Sequence, residues 1–293
     1  MEKTKKHFLL AVSNDPSHQY GARFLGYFFH EKINIFLDLL NISPNPRKTM
    51  LDPGDPGPAE QTKMRGAYQE KGRQALKSAA DKLESFGFPR DNLKTDLQLQ
   101  TLSTVKDLVH YGQKGLYDSL VLGRRGLSML EGLIQDSVSS RILDEEFHMP
   151  IWICREPERE KRNVLLCSDG SEPSLRASDH VGFILDSEPG HEITVLHVRN
   201  SAMPVAADVV MKKTMERLEE NGIPLSRIHQ TIMDSSNVSG TILDFARHHR
   251  FAAIAMGRKG CDRSVSGWGC WFMGSVSADL LKNLHGACLW IHK

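Results

Sequence analysis

The residues best suited to chemistry lie in one stretch, "AMGRKGCDRSVSGWGCWFMGSVSADLL", Ala255 to Leu281. Gly257 and Gly260 open it, and Gly274 with Ser275 closes it onto a helical pattern. An apolar strand ending in Met256-Gly257, then a loop that closes at a helix start, makes an anion site. Glycine lets the backbone approach an anionic oxygen with no Cβ in the way. The first N–H groups of the helix have no partner inside it, and the helix dipole adds attraction. Ser275 and Ser277 can cap the helix or donate to phosphate oxygens. Asp169, after the first strand of the same half, falls at the same edge of the sheet and can accept from a ribose hydroxyl. Taken alone, the glycines are equally readable as a tight turn and Ser275 as an N-cap.

Other reactive side chains form no set. No Ser/His/Asp arrangement, no paired acids and no GxxxxGK[ST] loop occur, so no catalytic residue is assigned. His248-His249 end the pattern "DFARHHR", where imidazoles suit a helix C-terminus. Arg124-Arg125 and Arg258-Lys259 flank glycine loops and either screen phosphate or face solvent. Of five cysteines, Cys154, Cys167 and Cys288 sit in apolar strand-like runs and read as buried free thiols, which suits a reducing cytoplasm. Cys261 and Cys270 lie in the loop, and no CxxC or HxxxH spacing supplies a metal site.

The elements that position these residues come as a repeat. "HFLLAVSNDPSHQYGARFL" (His7 to Leu25) matches "NVLLCSDGSEPSLRASDHV" (Asn163 to Val181). "YDSLVLGRRGLSMLEGLIQDSVSSRIL" (Tyr117 to Leu143) matches Phe251 to Leu281, and the halves finish on "MPIWICR" and "HGACLWIHK". The charged run "REPEREKR", Arg155 to Arg162, reads as a linker, which predicts domains over 1–155 and 162–293. Within each half strands alternate with helices. "KINIFLDLL", "NLKTDLQLQT", "HEITVLHVRN" and "RIHQTIM" read as strands. "AYQEKGRQALKSAADKLESFGF", "TVKDLVHYGQKG", "VVMKKTMERLEENG" and "VSGTILDFARHHR" read as helices. Such alternation predicts an α/β fold, a parallel sheet covered on both faces, with ligand sites at the carboxyl ends of the strands. Asn41 to Pro58, "NISPNPRKTMLDPGDPGP", carries too much proline and glycine for regular structure and reads as a long loop or flap.

Bulk properties narrow the partners. The chain has 293 residues and a formal charge of +1, which makes no electrostatic case for nucleic acid or an anionic membrane. No apolar run approaches the roughly 20 residues that span a bilayer. The N-terminal apolar run reads as a first strand, not a secretory signal.

The sequence resembles the universal stress protein family. That family's mark is G-x2-G-x9-G-[S/T] after the fourth strand, with an Asp in a turn like "DGSEPS" after the first. The turn stands here at Asp169 to Ser174, and Gly257, Gly260, Gly274 and Ser275 supply the glycine motif. With the repeat, the resemblance covers the whole chain as two tandem domains. It implies an open five-stranded parallel sheet of order 3-2-1-4-5 in each, paired across their last strands as a pseudo-dimer, with further pairing of two chains as an extension. It also implies a bound ATP or AMP, with or without Mg2+. Carried over, adenine and ribose rest near Asp169 and Val198. The phosphates meet Gly257, Gly260, Gly274, Ser275 and Ser277, and Met256 and Val276 complete the nucleotide-binding set.

Departures from the pattern direct the site to the second half. Thirteen residues separate Gly260 from Gly274 where the family has nine, and the excess falls within an aromatic wedge around Trp268, Trp271 and Phe272. The wedge reads as a lid on the nucleotide, a docking surface, or a local plug. In the first half Asp136 replaces the closing glycine, a carboxylate that opposes phosphate, and Ser13 stands where Asp169 sits. The expectation is a cytoplasmic stress-response module that binds adenine nucleotide in its second half and is not a committed enzyme, slow ATP hydrolysis aside. The alternative is an assembly scaffold that binds no nucleotide. An adenylating enzyme would need an SGGxDS-type loop, and "SDGSEPS" is not one.

Overall fold

The computed structural model describes residues 4–15, 19–46, 57–123, 148–200, 206–258 and 273–293. Among them, strands β1 (Lys6–Ala11), β2 (Ile35–Ser43), β3 (Leu93–Leu99), β4 (Ser119–Leu122) and β5 (Ile151–Ile153) belong to the first half. Strands β6 (Val164–Cys167), β7 (Ile193–Arg199), β8 (Ile228–Asp234), β9 (Ala253–Gly257) and β10 (Cys288–His292) belong to the second. The described helices are α1 (Tyr20–Phe28), α2 (Pro58–Ser85), α3 (Thr104–Lys114), α4 (Glu172–Leu185), α5 (Ala207–Glu220), α6 (Val238–His249) and α7 (Ser275–Asn283).

The strands form one ten-stranded sheet of order β3-β2-β1-β4-β5-β10-β9-β6-β7-β8. Each half therefore runs 3-2-1-4-5. All pairings are parallel except β5 with β10, which is antiparallel and joins the halves. Central strands such as β4 "SLVL" and β6 "VLLC" are buried along their length, as strands covered on both faces must be. The outermost strands, β3 and β8, are only partly covered and leave Lys94, Thr95, Gln98, His229 and Gln230 in water.

Two apolar layers cover the sheet. On one face α1, α2, α4 and α5 pack Phe24, Phe28, Leu76, Val181 and Met211 around Phe8, Trp152 and Trp290. On the other, α3, α6 and α7 bring Leu108, Ile242 and Leu280 onto Leu9, Leu165 and Ile254. Local chemistry sets the helix starts. Ser103, Ser171 and Asn237 cap α3, α4 and α6 by accepting from Lys106, Ser174 and Gly240 N–H. Gly222, φ +77°, follows α5 in the left-handed region glycine favours.

At the seam Trp152 lies opposite Trp290 in the β5–β10 register, and Trp152 Nε1 donates to Nε2 of buried His180 at 3.1 Å. That bond leaves Nε2 as the acceptor, and burial lowers the His180 pKa well below 6.5. Fully buried Lys6 crosses to the second half, where its Nζ meets Asp186 Oδ1 at 2.7 Å and Ser187 Oγ at 2.8 Å. Glu188, also buried, accepts from the N–H groups of His30 and Glu31.

The segment expected to be irregular, Asn41 to Pro58, is regular at both ends. β2 continues through Asn41–Ser43, and Pro58 opens α2. Asn41 is buried because its Nδ2 donates to Val12 O and Asn14 Oδ1, while Ser43 Oγ donates to Asn41 Oδ1. Pro58 is tolerated in the first turn, where an N–H lacks a helical partner anyway. Residues 47–56 lie outside the described segments. The charged run Arg155 to Arg162 is tied to the second half: Lys161 Nζ reaches Gly286 O at 2.9 Å and Arg155 donates to Leu281 O.

Candidate functional site

Parallel pairing brings the carboxyl ends of three strands to one edge. β6 lies between β7 and β9, with Cys167 opposite both Leu196 and Met256. Continuing the registers sets Asp169 level with Val198 on one side and one residue past Gly257 on the other. The crevice between β6 and β9 is the topological switch point, where open α/β sheets place ligands.

The turn after β6 is built for tightness. Gly170 has φ +77°, and a Cβ there would come within 3.1 Å of Val210. Asp169 Oδ1 accepts from Ser171 N at 3.0 Å and from Ser171 Oγ at 2.5 Å, an Asx-type turn that leads into α4. These bonds orient the Asp169 carboxylate within the turn. Beneath the turn, Ser168 Oγ lies 2.8 Å from Thr214 Oγ1.

Gly257 ends β9, and a Cβ there would fall 2.8 Å from Ser174 N and 2.9 Å from Pro173 C. The close approach that the sequence suggested for a phosphate is made here by the first turn of α4. Gly257 thus lets the two strand-end turns sit against each other.

Gly274 is the N-cap of α7, and its N–H donates to Arg258 O at 2.8 Å. The same carbonyl lies 2.7 Å from Ser277 Oγ, and Arg258 N–H donates to His292 O. Arg258 therefore clamps the start of α7 beside the end of β9. Ser277 is buried, and its hydroxyl serves this clamp. Ser275 is exposed at the first helical position, and Val276 is half-buried against the apolar layer. Val198 and Met256 pack in that layer too. Gly260 and the wedge, with Cys261, Trp268, Cys270, Trp271 and Phe272, lie outside the described residues, as do Arg124, Arg125, Gly126, Asp136 and Ser137.

Sequence reasoning missed His197. It is buried near the end of β7, with Nδ1 2.9 Å from Ser168 O. A carbonyl only accepts, so Nδ1 carries the proton. Asn41 does the same in the first half, where its Nδ2 donates to Val12 O at 2.8 Å. Each half thus ties the exit of its first strand to the second strand through one buried polar side chain. Aligning Asn41 with His197 in the repeat was the available signal.

Among the described residues no three His, Cys, Asp or Glu side chains gather to hold a metal ion, and no helix is long and apolar enough to cross a membrane.

Two five-stranded, doubly wound halves of one sheet, joined edge to edge through β5 and β10, define the class: a two-unit α/β protein. Residues 161–292 match the family model of the Universal stress protein family. The whole-chain fold is shared with a functionally unknown protein from Pseudomonas aeruginosa PAO1, at 12% identity and TM-score 0.52 over 99% of this chain and 93% of that one. A putative universal stress protein from Pseudomonas aeruginosa UCBPP-PA14 is similar at 13% identity and TM-score 0.52, over 99% and 94%. A universal stress protein solved in complex with cAMP aligns at 18% identity and TM-score 0.35, covering 45% of this chain and 96% of that chain. No curated protein matches the sequence.

Proposed function

We propose that the second half binds an adenine nucleotide, ATP or AMP, and that the chain serves the stress response as a regulatory binding module. The observation that carries this reading is the position of α7. Its N-terminus is clamped through Arg258 O to the end of β9, at the edge where β6 and β7 also end. Unpaired N–H groups and the helix dipole favour phosphate there. In this account the N–H groups of Ser275, Val276 and Ser277 hold the phosphates, and Gly274 admits them. Asp169 accepts from the ribose, and Val198 and Met256 form the apolar floor nearer the base. Gly257 keeps the two turns close enough to share one ligand, and Gly260 is a further proposed phosphate contact. Mg2+, where present, arrives on the phosphates of ATP. Residues 1–155 and 162–293 act as two domains of one cytoplasmic chain, the first as a pairing half.

A scaffold reading has one observation in its favour. The antiparallel β5–β10 pair fuses both halves into a single platform. Native mass spectrometry of the chain purified without denaturation separates the two. The nucleotide reading expects a fraction carrying the added mass of AMP or ATP. A chain that stays unliganded when millimolar ATP and AMP are added supports the scaffold.

A further inference from the structure

Cys154 and Cys288 are far apart in the chain and meet at the seam between the halves, with their Sγ atoms 3.3 Å apart. The register Ile151↔Ile291, Trp152↔Trp290, Ile153↔Leu289, continued by one residue, sets Cys154 directly opposite Cys288. Residues opposed in an antiparallel pair have Cα atoms about 4.5–5.5 Å apart, inside the roughly 4.4–6.8 Å that a disulfide spans. Both side chains are buried on the face that holds the stacked indoles. The repeat does not account for the pair. Aligned on Trp152 and Trp290, the counterpart of Cys154 is His292 and that of Cys288 is Pro150.

We propose that Cys154 and Cys288 are a dithiol–disulfide pair that a peroxide closes, stapling the two halves together at the seam. One sulfur attacks the peroxide, the O–O bond breaks, and the products are a sulfenic acid and one water. The second sulfur then attacks the sulfenic sulfur. The S–S bond forms, and the hydroxyl leaves with the second thiol's proton as another water. Two electrons pass from the sulfur pair to the peroxide, and a dithiol reductant returns them. Burial, together with the neighbouring sulfur, raises the Cys288 thiol well above its ordinary pKa. Thiolate is therefore scarce, and the pair closes under sustained rather than brief oxidant. Cys154 N–H donates to Leu122 O, so closure also pins the start of the segment that links the halves to both β4 and β10.

The test uses the full chain with Cys261→Ser and Cys270→Ser, and the unsubstituted chain beside it. Each is held in hydrogen peroxide, unfolded with an alkylating agent, digested and mapped. The expected result is a reductant-sensitive link between the peptides of Cys154 and Cys288, with Cys167 recovered alkylated. The oxidised chain also melts several degrees higher, a gain absent from Cys288→Ala. Recovery of Cys154 and Cys288 as separate thiols, or as sulfinic and sulfonic acids, from both chains would overturn the proposal.

Discussion

The indoles of Trp152 and Trp290 stack across the seam with ring centroids 4.1 Å apart and planes 5° from parallel. They occupy matching places in the two halves, so the approximate two-fold axis of the repeat passes between them. Phe24 meets both rings edge-on, and Phe28 closes the cluster. The stack converts two half-covered sheets into one continuous core. Trp290→Ala should cost about 3–5 kcal/mol, the usual range for emptying a buried aromatic site. Urea unfolding at neutral pH measures it. A loss below about 1 kcal/mol would show that the seam repacks freely.

The ion pair between Lys6 and Asp186 should respond asymmetrically. The Lys6 side chain is fully buried, whereas that of Asp186 is 28% exposed. Asp186→Ala leaves a buried ammonium with Ser187 Oγ and the Phe183 ring beside it, and should cost about 3–5 kcal/mol. Lys6→Met removes the buried charge, keeps the volume, and should cost less than half as much. Equal losses in denaturant midpoints would contradict this ordering.

Two glycines predict opposite signs. Gly66 lies inside α2 with nothing within 4 Å of an added Cβ, so Gly66→Ala should stabilise by about 0.5–1 kcal/mol. Gly257→Ala drives its Cβ into the backbone of Pro173 and Ser174 and should destabilise by about 1–3 kcal/mol. Thermal melts of the two variants read both effects. A neutral Gly257→Ala would mean that α4 moves aside easily.

Acid should weaken the seam through its histidines. Burial lowers the His191 pKa from 6.5 to about 4, with Arg227 and Arg162 adding repulsion, and burial also lowers the His180 pKa well below 6.5. Unfolding restores both to about 6.5, so between pH 6.5 and 4 the unfolded chain binds more protons. This stability is fully present above pH 6.5 and is lost as pH falls toward 4. Glu188, raised by burial, acts with the opposite sign and offsets part of the loss. Urea midpoints should fall from pH 7 to pH 5, and His191→Gln should flatten that dependence. An unchanged slope in His191→Gln would assign the acid sensitivity to other groups.

Much of this architecture was legible in the sequence because its signals are local. Apolar runs bounded by turns mark β1, β6 and β7, the 3.6-residue period from Tyr68 to Phe86 marks most of α2, and the repeat predicts a second copy of each. The errors arose where local signals mislead. Asn41–Ser43 carries polar residues in a strand because Asn41 is satisfied by Val12 and Asn14, which no neighbouring residue announces. The first turns of α2, from Pro58, are polar and mostly exposed, so no apolar period extends to them. At the site, the turn residue Asp169 could be read directly, whereas the N-cap of α7 is Gly274 and not the expected Ser275, which is the first helical residue. The burial of His197, the clamp on Arg258 O and the meeting of Cys154 with Cys288 depend on contacts between distant segments, which spacing does not encode.

Isothermal titration of ATP and AMP into the full chain and into Gly274→Glu asks whether the start of α7 holds a nucleotide. The substitution sets a carboxylate at the N-cap of α7, where the phosphates are placed. The account predicts saturable heat from the unsubstituted chain and its loss, or a weakening of at least tenfold, in Gly274→Glu with the fold intact by circular dichroism. No heat from either protein, or equal binding by both, would contradict a nucleotide site at the start of α7.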